Sequence, residues 1–94
     1  MIAVIATIKV KAGQGAEFEA VAKELAAKVH ENEEGCRLYV VCRAETPDTY
    51  VFLERYADER ALDAHRASAH FKELGRNMGQ YMDGRPEIRR LDEV

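Results

Sequence analysis

Tryptophan is absent from the 94 residues, and proline and cysteine each occur only twice. With so few prolines and no low-complexity run, the 47% of hydrophobic residues supply a core and leave none of the composition of a disordered segment. No apolar run approaches the roughly 20 residues that span a membrane. The opening MIAVIATIKV also lacks the basic front and small-residue cleavage site of a secretory signal. Excess positive charge is missing too. The formal net charge is −3, which argues against a surface for nucleic-acid phosphates, and the short RRL at Arg89 to Leu91 does not reverse it. What remains is a single globular domain, residues 1–94, expected in the cytoplasm with neither nucleic acid nor membrane as partner. Cys36 and Cys42 lie in one extended run, so their Cα atoms stand roughly 20 Å apart, beyond disulfide reach. Two reduced, buried packing thiols are expected, and no histidine is close enough in sequence to make either a nucleophile.

Hydrophobic spacing then divides the chain. Residues 2–10, IAVIATIKV, are too short for an ordinary helix before the breaker KAGQG and read as a strand that is apolar on both faces. From Ala16 to about Glu33, Phe18, Val21, Ala22, Leu25, Ala26 and Val29 keep helical spacing, with Glu19/Lys23 and Glu24/Lys28 paired outside and Gly35 closing the helix. CRLYVVCRAE (36–45) and TYVFLERYA (49–57) form a hairpin around TPD. Their faces read as Cys36/Leu38/Val40/Cys42 against Tyr39/Val41, and Phe52/Glu54/Tyr56 against Val51/Leu53. Asp58 caps a short helix to about Arg66, and Ser68 caps another to about Met82. DGRP breaks the chain, and EIRRLDE from Glu87 reads as a charged edge strand. The order is that of an α+β, ferredoxin-like βαββαβ sandwich. Strands apolar on both faces, with helices for only one, predict a homodimer through the open sheet face.

Three segments, EEGCRLY (33–39), YVFLERYAD (50–58) and ALDAHRASAHF (61–71), resemble the antibiotic biosynthesis monooxygenase (ABM) family, in the small single-domain branch that includes quinol monooxygenases. The resemblance implies a dimeric α+β barrel, with a pocket between helices and sheet in which phenolic or quinol-like molecules are oxidised by O₂ without metal or flavin. Other members of this fold family degrade haem, isomerise a small phosphorylated dicarbonyl, or have no known activity. The polyketide-oxidising and haem-degrading branches rely on a pocket tryptophan and asparagine. This chain has no tryptophan, His65 stands where that residue is expected, and Gly75 stands where the haem ligand is expected, so haem degradation is disfavoured.

The histidines carry the chemistry. In one continuous helix, His65 and His70 would point roughly 140° apart and could not grip one ion. A break at Ser68 could bring them together, but a third ligand would have to come from Glu54 or a distant cysteine, so no metal is expected. His65 shares a helix face with Leu62 and looks inward, where Glu54 on the neighbouring strand is the expected partner. The pair either anchors helix to sheet or acts in catalysis, with His65 removing a proton from a phenol or enol and the carboxylate raising its basicity. His70 follows a helix start and lies at the pocket mouth or in solvent; His30 is a rim residue. The expected assignment is a cofactor-independent monooxygenase with His65 as general base and Glu54 beside it. Tyr39, Phe52, Tyr56, His70 and Phe71 would bind an aromatic or carbonyl substrate. An isomerase of a small dicarbonyl and a non-catalytic ligand-binding dimer stand as alternatives, and the deciding feature is whether His65 faces a cavity or a packed wall.

Overall fold

Alternation along the first strand sets the whole sheet. In β1 (Ile2–Lys9), Ile2, Val4, Ala6 and Ile8 are buried while Ala3, Ile5 and Thr7 between them are half-buried. The computed structural model describes Met1 to Val94 as β1, α1 (Gly15–Asn32), β2 (Cys36–Arg43), β3 (Thr49–Tyr56), α2 (Glu59–Ala67), α3 (Ala69–Gly79) and β4 (Glu87–Asp92). The strands form one antiparallel sheet in the order β2-β3-β1-β4, which is the ferredoxin-like α+β arrangement expected from the sequence. It is an open sheet. A closed barrel is not formed by this chain.

The register assigns side chains to faces, because directly opposed residues of paired strands share one side. Val4 opposes Glu54 and Ala6 opposes Phe52, so the buried set of β1 lies beside Tyr50, Phe52, Glu54 and Tyr56 of β3. Phe18, Val21, Ala22, Leu25 and Val29 of α1 pack onto this side, with Phe18 and Phe52 in an edge-to-face arrangement at 6.4 Å. Burying each large apolar side chain of that set contributes about 1.5–3 kcal/mol. The other side carries Ile5 opposite Leu53, which in turn opposes Val40. No helix covers these residues, and Leu53 is exposed.

Four sequence expectations are corrected here. A register shift between Cys36 and Leu38 turns Cys36 to the helix side opposite Tyr56, while Leu38, Val40 and Cys42 keep the open side. The thiols are therefore not both buried: Cys36 is half-buried and Cys42 is exposed. Gly35 does not close α1 in a left-handed conformation, since the only glycines with positive φ are Gly13 and Gly84. Its role is close approach: a Cβ there would stand 2.6 Å from Ala61 Cβ, and its carbonyl accepts from Ala57 N–H at 2.8 Å. Finally, α3 ends at Gly79 rather than near Met82, because residues 81–83 turn to pair with the end of β1, through Lys11 N–H to Tyr81 O and Asp83 N–H to Lys9 O. No helix is long and apolar enough to cross a membrane.

Candidate active site

The break between α2 and α3 organises the site. Asp58 caps α2 by accepting from Ala61 N–H at 2.9 Å. At the far end Ser68 adopts an extended conformation, donates its hydroxyl to His65 O at 2.7 Å and accepts from Phe71 N–H at 3.2 Å. One hydroxyl thus stops one helix and starts the next. His65 falls in the last turn of α2 and His70 in the first turn of α3, and the change of direction points both rings at a single carboxylate.

That carboxylate belongs to Glu33. The residue follows α1, with its N–H bonded to Val29 O at 2.9 Å, and the Gly35–Ala61 approach holds this corner against α2. Both carboxylate oxygens lie 3.0 Å from His65 Nδ1, and Oε2 is also bonded to His70 Nε2. The expected Glu54–His65 pair is therefore corrected. Glu54 Oε1 instead accepts from the Tyr56 hydroxyl at 2.5 Å, a neighbour two residues along the same face of β3. The third donor beside the histidines is Glu33, not Glu54 or a cysteine. Its signal was present in the EEGC segment, but 32 positions separate it from His65 and no local periodicity connects them.

The geometry fixes a tautomer. A carboxylate only accepts, so the hydrogen on neutral His65 sits on Nδ1 and the lone pair on Nε2. Nε2 makes no hydrogen bond, and no buried side-chain nitrogen or oxygen lacks a partner, so this atom is accessible although the residue as a whole is only 2% exposed. His65 also helps line a cavity of about 610 Å³. Burial holds the imidazole below its ordinary pKa of 6.5, outweighing the upward pull of Glu33, so the net effect is opposite to the increase expected from a carboxylate partner alone. Tyr39, Tyr56 and Phe71 flank the ring at 5.2, 5.3 and 4.7 Å between centroids.

The cavity lies between sheet and helices. Ala6, Ile8, Tyr39, Phe52 and Glu54 form its floor, Leu62, His65, Phe71 and Met78 its helical wall, and Ile88 of β4 with Met82 and Pro86 its open side. Of the residues expected to bind substrate, Tyr39, Phe52 and Phe71 line it. Tyr56 is fully buried behind His65, and His70 meets Glu33 instead of the cavity. Burial pushes the carboxyl of Glu54 above the usual range, against the Tyr56 hydrogen bond and the charge of Arg66. Gly75 also lines the cavity, as do Arg66, Lys72 and Arg76, three cations that the sequence does not single out although Lys72 and Arg76 have the i, i+4 spacing of one helix face.

Comparisons with known proteins agree with this architecture. The family described as antibiotic biosynthesis monooxygenase matches residues 1–76. A structure from Caulobacter crescentus, reported as a candidate antibiotic biosynthesis monooxygenase, is similar at 46% identity over 99% of this chain and 89% of that one, with a TM-score of 0.95. A conserved protein from Methanosarcina mazei Go1 is 34% identical over 99% and 92% of the two chains, with a TM-score of 0.90. Another structure, named simply antibiotic biosynthesis monooxygenase, is 27% identical over 100% and 99%, with a TM-score of 0.91. No curated protein matches the chain. On the family match and the 46% relative, the chain belongs to the antibiotic biosynthesis monooxygenase family.

Proposed function

We propose that the chain is a cofactor-independent monooxygenase acting on a quinol-like or polycyclic phenolic substrate, with His65 as general base. The observation that carries this reading is the placement of one ring: Nδ1 is tied to Glu33 and the ring lines a largely apolar cavity, which leaves Nε2 as the nitrogen free to meet a substrate. A base must be unprotonated near neutral pH and reach its proton, and a buried imidazole held below its ordinary pKa meets the first condition. Removing the phenolic proton gives an electron-rich anion that can pass an electron to O₂. One oxygen atom then enters the substrate and the other leaves as water, with the electrons drawn from the substrate itself. Tyr39, Phe52 and Phe71 offer faces for a flat ring. Glu54 adds a polar group to the cavity floor, its carboxyl pushed above the usual range by burial, and the cations of Arg66, Lys72 and Arg76 favour an anion in the cavity.

Those same cations support a second reading, proton transfer within a small phosphorylated dicarbonyl. Oxygen uptake on a panel of quinols separates the two, because isomerisation consumes none. If His65→Ala leaves turnover unchanged, the base assignment is wrong.

The proposal includes a homodimer through the open sheet face, supported by Ile5, Leu38, Val40, Val51 and Leu53 left without a covering helix. Sedimentation that finds only monomers at micromolar concentration would overturn it. The two free thiols support a reducing, cytoplasmic setting.

A further inference from the structure

We propose that Glu33, His65 and His70 also form a binding site for one divalent transition-metal ion of the zinc class, held by a Glu33 carboxylate oxygen, His65 Nδ1 and His70 Nε2. The donor atoms lie within 4.8 Å of one another. Donors around a tetrahedral zinc ion, each about 2.0–2.2 Å from it, stand roughly 3.3 Å apart, so small rotamer adjustments admit the ion. The donors come from three separate elements: the end of α1, the end of α2 and the start of α3. Backbone bonds at Glu33 and the doubly bonded Ser68 hydroxyl fix where those ends meet. The side chains are also withdrawn from solvent, at 9%, 3% and 16% exposure for Glu33, His65 and His70. Two imidazoles and one carboxylate select zinc, cobalt, nickel or ferrous iron over calcium and magnesium, which take oxygen donors. Water completes the coordination.

The site has a consequence for the proposed chemistry, and this part rests on the base reading of His65. A metal ion on Nδ1 displaces the hydrogen there, and the neutral ring then carries its hydrogen on Nε2, facing the cavity. The base becomes a hydrogen-bond donor. Metal binding is thus an off switch placed behind the pocket wall, away from substrate.

The test uses tag-free full-length protein stripped with EDTA, titrated with Co²⁺ by visible absorption and with Zn²⁺ by calorimetry. One saturable ion per chain is expected. His70→Ala and Glu33→Gln, each checked for folding by circular dichroism, should each weaken it by at least about a hundredfold, since losing even an outer partner costs ten- to a hundredfold. His30→Ala should leave binding unchanged. In the unsubstituted protein, Zn²⁺ should shift the ring proton resonances of His65 and His70 but not of His30, a readout that needs no variant. Absence of saturable binding, persistence in both variants, unshifted His65 and His70 resonances, or an intense thiolate-to-cobalt band from Cys36 or Cys42 would overturn the site. Zn²⁺ that binds as described yet leaves oxygen uptake intact upholds the site and overturns the base reading instead.

Discussion

Glu33→Gln removes one charge and almost no volume, which makes it the cleanest probe of the site. The carboxylate accepts from both His65 and His70. A glutamine offers one oxygen and one NH₂, so it can accept from only one ring and must confront the other with a donor. At least one hydrogen bond to a charged group is lost in a place where water does not replace it, because the side chain is 9% exposed. Such bonds contribute about 1.5–3 kcal/mol each. For a domain of this size, a loss of about 2 kcal/mol lowers the melting temperature by about 8–16 °C. Catalysis should suffer more than stability, since the amide no longer dictates which nitrogen of His65 carries the hydrogen. In serine proteases the equivalent loss of an orienting carboxylate lowers kcat about 10⁴-fold. We expect a fall of at least about a hundredfold in kcat here, measured by oxygen uptake, alongside a thermal melt followed by circular dichroism at matched protein concentration. A variant with unchanged melting temperature and unchanged kcat refutes the assignment of Glu33 as the positioning residue.

Other predictions follow from burial and close approach. Because the folded His65 binds its proton below the ordinary value of 6.5, the unfolded chain takes up a proton that the folded one refuses as pH falls through 6.5. Stability contributed by this group therefore rises with pH up to about 6.5 and is lost below it, so denaturant titrations of His65→Asn should show a flatter pH dependence there than the native sequence. The acid limb of kcat/KM should likewise lie below pH 6.5. Gly35→Ala forces its new Cβ to within 2.6 Å of Ala61 Cβ and should cost about 1–3 kcal/mol by overpacking. Adding Ala61→Gly should restore part of that loss in the same urea titration, and a double variant no better than the single one would show that the approach is not the cause. Leu53→Asp places a charge in the middle of the open sheet face and should shift sedimentation from dimer to monomer without altering the melting of the isolated chain by more than about 0.5 kcal/mol.

Much of this architecture is written locally in the chain. The two-faced apolar strands, the amphipathic first helix and the capping residues Asp58 and Ser68 each depend on neighbours within a few positions, and the structure places them where spacing predicts. The Ser68 break was the most informative of these, because it decides that His65 and His70 converge. Contacts between distant elements are of another kind. Glu33 reaches His65 only through the packing of the first helix end against the second helix, which no periodicity encodes. Glu54 has the right parity to face the helices, but Tyr56 on the same strand satisfies it first. The bulge after Cys36 reverses a parity argument that assumes a regular ladder. Arg66, Lys72 and Arg76 read as ordinary exposed helix residues until β1 and β4 place a hollow beside them.

Ile88 is 53% exposed although it sits on the helix side of the sheet and borders the cavity. The space beside His65 is therefore wetted from the edge strand, and its closure is left to whatever enters. A ligand broad enough to cover Ile88, Met82 and Pro86 dries the ring of His65 as it binds, at a gain of about 25 cal/mol for every Å² of apolar surface hidden. A smaller one leaves water beside the same nitrogen, where a newly formed anion is solvated and less ready to give up an electron. Under the proposed role of His65 as base, ligand size would then be selected through dehydration rather than through steric refusal, since only a molecule that fills the hollow creates dry surroundings beside the ring.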